Sequence, residues 1–134
     1  MPTITRWFVK TSLLCLILAL LVGIYQQVPG VSQNGVFPVY LHLLTFGWLS
    51  QLIFGIAIWM LPKFSNERPR GYEGLNWGTY LMLNLGLLLR FIFEPAQSHT
   101  PTSWGGWALV LAALLQWLAG MLFILNAWPR VKGR

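Results

Sequence analysis

A bundle of four membrane-spanning α-helices is the fold class this sequence predicts, and three observations predict it. Apolar residues make up 56% of the chain and charged residues 9%, with a mean hydropathy of +0.61, whereas a soluble domain carries about a quarter charged residues. Four apolar stretches, residues 7–28, 36–61, 75–93 and 104–128, are close to or above the roughly 20 residues needed to cross a hydrocarbon core. Their runs are continuous and leucine-rich instead of alternating, which suits helices and not barrel strands. The connections between them are short, so residues 1–134 read as a single all-α domain of antiparallel neighbours.

The first stretch follows Arg6 and ends at Pro29-Gly30. No small-x-small cleavage site occurs between Cys15 and Tyr25, so it reads as a retained span and not as a signal peptide. Cys15 is the only cysteine, cannot form an internal disulfide, and reads as a small buried apolar residue. The second stretch has Pro38 in its first turn, where the missing N–H costs nothing, and closes at Pro62. A polar connection, Ser65 to Arg70, leads to the third, where Gly74, Gly78 and Gly86 offer a small-residue face for close packing. Pro95 is expected to stop the third helix and Pro129 the fourth. Trp7, Trp59, Trp77, Trp104 and Trp128 fall near span ends, the pattern of an interfacial aromatic belt.

Charge orients the chain. Arg6, Lys10, Lys63, Arg68, Arg70, Arg130, Lys132 and Arg134 all fall at the N-terminus, the second connection or the C-terminus. Cytoplasmic loops carry the lysine and arginine excess, so both termini are expected to be cytoplasmic, in a bacterial inner membrane. The net charge of +6 is therefore read as orientation and contact with anionic lipid, not as nucleic-acid binding.

His42 is the residue that needs a reason. From Val36 to Pro62 the chain carries no other acidic or basic side chain, and the only other histidine is His99. An imidazole inside a span is by default a ligand, a proton carrier or a paired structural group. Pro62 lies twenty residues further on, roughly 30 Å at helical rise, which puts His42 near the outer boundary of the hydrocarbon. On an unbroken α-helix Phe46, Leu49, Ile53, Ile56 and Met60 share its face, with Thr45 to one side. One imidazole on a stripe of large apolar side chains suits a flat, greasy, metal-containing group such as heme. A histidine bonded to a backbone carbonyl in a helix interface suits the same pattern.

The run Val39-Tyr40-Leu41-His42-Leu43-Leu44-Thr45-Phe46-Gly47-Trp48, continuing from Phe54-Gly55 to Trp59-Met60-Leu61-Pro62, resembles the second helix of the catalytic subunit of heme-copper oxidases and nitric oxide reductases. In that family a histidine near the outer end of this helix ligates a low-spin heme, a glycine follows some turns later, and the helix often finishes aromatic-x-x-Pro. The resemblance implies heme b on His42, with Phe46, Leu49, Thr45 and Ile53 beside it, and four spans corresponding to one four-helix arc of that subunit. It also marks a departure: the family surrounds two hemes and a copper with several histidines, and this chain has two. Dioxygen reduction by this chain alone is not expected.

A low-spin heme needs a second axial ligand. His99, expected in the loop from Pro95 to Ser103, is one candidate; the favoured one is His42 of a second copy, two symmetry-related imidazoles sharing one heme in a homodimer. Arg90 reads either as a snorkelling residue paired i,i+4 with Glu94, or, by the resemblance, as a partner for heme propionates together with Tyr40, Gln97 and Trp104. Gln51, Asn84 and Gln116 are expected to hydrogen-bond across helices. With the third span ending at Phe93, no acidic residue is expected inside a span, which argues against a carboxylate proton relay. The expected function is electron transfer or heme-based sensing with a respiratory redox partner; the alternative is a non-catalytic accessory or assembly subunit of a larger respiratory complex, with His42 structural.

Overall fold

The computed structural model describes residues 1–131; Lys132 and Arg134, counted above among the orienting charges, lie outside the described residues. Four long helical segments follow one another: α1 (Thr3–Gln26), α2 (Val36–Met60), α3 (Glu73–His99) and α4 (Ser103–Val131). Among the described residues there is no strand. Three of these helices, α1, α2 and α4, are long and apolar enough to cross a membrane, so the protein is a helical membrane protein. Helix α3 is equally long but carries Asn76, Thr79, Asn84, Arg90 and Glu94. Its polar groups Asn76 and Thr79 are buried beside Leu83, Gly86 and Leu87, while Leu81, Leu85, Leu88 and Ile92 face outward. Apolar outside and polar inside is the arrangement for a helix packed in a bundle with lipid around it.

Helix α1 packs along α2, α3 along α4, and α2 against α3. The core is built where they meet. Phe8 of α1 is fully buried and packs with Ile4, Ile58 of α2, Leu83 of α3 and Ala119 of α4. A second cluster, Cys15, Ala19, Val39 and Leu43, joins α1 to the N-terminal half of α2, as expected of Cys15. The small-residue face of α3 is used in part. A Cβ on Gly86 would fall 2.9 Å from the Ala112 carbonyl oxygen, whereas one on Gly74 would meet nothing within 4 Å. Gly74 therefore plays no part in close packing.

Two prolines do not end helices as expected. Helix α3 continues through Pro95 to His99, and α4 through Pro129 to Val131. A proline interrupts a helix by losing one hydrogen bond and crowding the preceding turn; here the helix carries on for four residues beyond Pro95 and for the two described residues beyond Pro129. In a membrane protein the backbone has no water to turn to, so helical bonding persists. The Thr100 amide still reaches the Ala96 carbonyl, and the Ser98 hydroxyl donates to the Pro95 carbonyl. His99 is consequently the last residue of a helix and not part of a loop.

The third departure lies inside α2. Residues Leu43–Ser50 form a π-helical segment between α-helical Val36–His42 and Gln51–Met60. Side chains bond to carbonyls in and beside these wide turns: Thr45 Oγ1 donates to Leu41 O at 2.7 Å and Gln51 Nε2 to Gly47 O at 3.1 Å. Such back-bonding competes with regular α-helical bonding and bends helices.

Candidate functional site

His42 closes the first α-helical part of α2, immediately before the π-helical segment. Its position against α3 depends on Gly35. That residue has φ +74°, and a Cβ there would lie 2.7 Å from the Glu94 carbonyl oxygen and 2.5 Å from Ser98 Oγ. Only a glycine tolerates both the left-handed backbone and the contact. The Ser98 hydroxyl also donates to the Asn34 carbonyl at 3.0 Å. The start of α2 is thereby seated on the last turns of α3, and His42, two turns further along, comes to face Glu94.

The imidazole Nδ1 lies 2.7 Å from the Pro38 carbonyl oxygen. A carbonyl only accepts, so Nδ1 carries the proton and donates it, and in the neutral ring Nε2 keeps its lone pair. The Phe46 ring stacks on the imidazole with centroids 6.0 Å apart and planes 14° apart. The His42 side chain remains 24% exposed. Nδ1 is also 3.6 Å from Glu94 Oε1, too long for a hydrogen bond but close enough for charge attraction. The same oxygen accepts from Arg90 Nη1 at 2.8 Å, and Arg90 Nε donates to Gln116 Oε1 of α4 at 3.0 Å. Three helices thus contribute to one chain of contacts: Pro38 and His42 from α2, Glu94 and Arg90 from α3, Gln116 from α4.

Because α3 runs on past Pro95, where the helix was expected to stop, the Glu94 carboxylate sits inside the helix with its side chain only 9% exposed. Its pairing with Arg90 was legible in the i,i+4 spacing. Its approach to His42 was not, since that depends on how α2 docks on α3. The ion pair cancels the charge of the cluster, which is what makes burial there tolerable.

The other expected residues separate into three groups. Thr45 is exposed and has its hydroxyl committed to Leu41 O. Leu49 and Ile53 are about half exposed, at 47% and 52%, on a surface that continues into an open apolar groove of about 390 Å³ lined by Ile53, Ile56 and Met60 among others. A π turn takes in one more residue than an α turn, so the stripe drifts sideways from His42 instead of running straight beneath it. Tyr40, Gln97 and Trp104 do not join Arg90 in a polar rim. Tyr40 packs near Gly23 and Phe37, Gln97 closes the α3–α4 turn through Thr102, and Trp104 meets Phe93 edge to face. His99 is exposed at the end of α3 and takes no part in the hydrogen bonds of His42.

The deeper amides do hydrogen-bond across helices. Gln51 and Asn84 exchange reciprocal amide bonds of 3.2 Å each between α2 and α3. Gly55 has a packing explanation as well, since a Cβ there would fall 2.6 Å from Phe8 Cβ. No protein-family model, curated protein or solved structure matches this chain.

Proposed function

We propose that this protein is a four-span membrane heme b protein, both termini cytoplasmic, in which His42 Nε2 ligates the iron and which serves electron transfer or heme-based sensing in a bacterial inner membrane. One observation carries the reading: Nδ1–H of a ring that stays partly exposed donates to the Pro38 carbonyl, which leaves the Nε2 lone pair of the neutral ring available to a metal. Histidines that hold metals are commonly oriented by such a bond on the other ring nitrogen. The π-helical segment that begins at Leu43 adds to it, because π-helical turns in α-helices are frequent at functional positions.

The residues fit a heme in their donor chemistry, with a condition. One chain offers one imidazole that could ligate the iron, with Phe46 stacked beside it. A second ligand would have to come from another surface, and the His42 of a twofold-related copy would supply it. A bound heme would supply one-electron chemistry at its iron. His42 would hold that iron through Nε2, with Pro38 fixing the other ring nitrogen and Phe46 stacked on the imidazole. Arg90 donates from Nε to Gln116 and from Nη1 to Glu94, so it balances the Glu94 charge.

The second reading, an accessory subunit of a respiratory complex with His42 structural, draws on the same bond to Pro38 and the nearby Glu94, which together would hold an imidazole without any metal. An absorption spectrum of the purified protein separates the two. A low-spin b-type spectrum that His42→Ala abolishes and His99→Ala leaves unchanged is the expected result; stoichiometric heme retained by His42→Ala sinks the assignment.

A further inference from the structure

We propose that Glu94, held in place by Arg90, acts on His42 through its charge: the Pro38 carbonyl holds the Nδ1-protonated ring, and the carboxylate 3.6 Å from Nδ1 sets the electron density that Nε2 presents to the iron. The proposal rests on the heme reading above in its second half only; the electrostatic hold of the carboxylate on Nδ1–H stands on the geometry by itself.

The carboxylate Oε1 lies between two groups, 2.8 Å from Arg90 Nη1 and 3.6 Å from His42 Nδ1. Among the described residues, Glu94 Oε2 is buried with no hydrogen-bond donor, so backbone amides do not disperse its charge. The negative charge is therefore directed at Arg90 and at the imidazole. A negative group beside Nδ1–H increases the electron density that Nε2 can donate, and does so more strongly where the surroundings are poor in water. Arg90 acts in the opposite sense. It is anchored from α4 by Gln116, so the balance between the two charges is built from both sides of the cluster. A purely structural ion pair predicts that losing either member has the same kind of effect. A charge balance predicts opposite effects that cancel when both are lost.

The test compares wild type, Glu94→Gln, Arg90→Gln and the double variant in nanodiscs, with folding checked by circular dichroism. In heme-free protein, nitrogen-15 NMR resolves the two histidines. Glu94→Gln is expected to move the His42 Nδ1 resonance and leave His99 in place; an unmoved His42 resonance overturns the proposal. In heme-loaded protein, Glu94→Gln is expected to raise the midpoint potential and Arg90→Gln to lower it. Each change corresponds to a shift on the order of tenfold in the ferric-to-ferrous ratio at fixed potential, and the double variant returns close to wild type. Retained heme with unchanged potentials, or shifts of the same sign, overturns the second half. Absence of heme from all four proteins with the NMR shift present overturns the heme reading and supports the hold of Glu94 on His42.

Discussion

Arg130 shows how much a single side chain can do beyond its charge. In the sequence it counts among the charges expected to orient the chain; in the structure it is 4% exposed and points into the bundle. Its Nε donates to the Pro62 carbonyl at 2.9 Å, and Nη2 donates to Leu61 and Ile58 at 2.8 and 3.0 Å. These are carbonyls at the C-terminal end of α2, where helical partners run out and where a cation is favoured by the helix dipole. The bond also anchors the last turn of α4, beyond Pro129. Arg130→Ala leaves these acceptors without their charged donor, and hydrogen bonds to charged groups contribute about 1.5 to 3 kcal/mol. A loss of stability of about 2 to 3 kcal/mol is expected on unfolding in mixed micelles, with Arg130→Lys recovering only part of it because an ammonium cannot span three carbonyls as a planar fork does. A neutral result for Arg130→Ala would return the residue to an orienting role. His42 contrasts with it: its Nδ1 is satisfied within its own helix, so the ring's remaining nitrogen is what function can use.

At the level of elements, the joint between α2 and α3 organises the site. One end of it is the Gly35 contact with the last turns of α3, and further along it lies the Gln51–Asn84 amide pair. Gln51 is fully buried, so losing Asn84 strands a polar group in the core, and the reverse holds too. Single Gln51→Leu and Asn84→Leu variants are each expected to destabilise more than half as much as the double variant, with a coupling of about 1 kcal/mol in a double-mutant cycle. Additive effects would mean that the pair is not a working contact between these helices. The π-helical segment sits between the two contacts, and it explains why a face drawn on an ideal α-helix was only partly right. Phe46 does stack on His42, while Leu49 and Ile53 turn toward the exposed surface. The extra residue per turn is set by how side chains bond to nearby carbonyls and by packing against α1, neither of which a hydrophobic period reveals.

For the molecule as a unit, the relevant property is that the His42 side chain stays 24% exposed. On the proposed heme reading, a heme shared between two copies would complete the site, and that arrangement carries a stoichiometry: half a heme per chain, with heme removal weakening the dimer because a ligand bound only by the assembled form stabilises that form. Native mass spectrometry with and without heme reads both quantities. One heme per chain, or a monomer that keeps a low-spin spectrum, would direct the search for the second ligand to His99 or to a partner subunit.

The amino-acid sequence alone determined that this is a helical membrane protein and where its helices lie to within a few residues, because apolar composition over a bilayer's length has few other outcomes. It also marked His42 as the exceptional group, since an imidazole amid twenty-odd apolar residues stands out without any structure. The i,i+4 pair of Arg90 and Glu94 was legible for the same reason of regular spacing. What only the tertiary structure decided is which groups meet: Glu94 with His42, Arg90 with Gln116, Arg130 with the end of α2. Those contacts depend on helix docking, on α3 persisting past Pro95 and on the wide turns of α2. They are products of packing between distant segments, where local pattern carries no information about the partner.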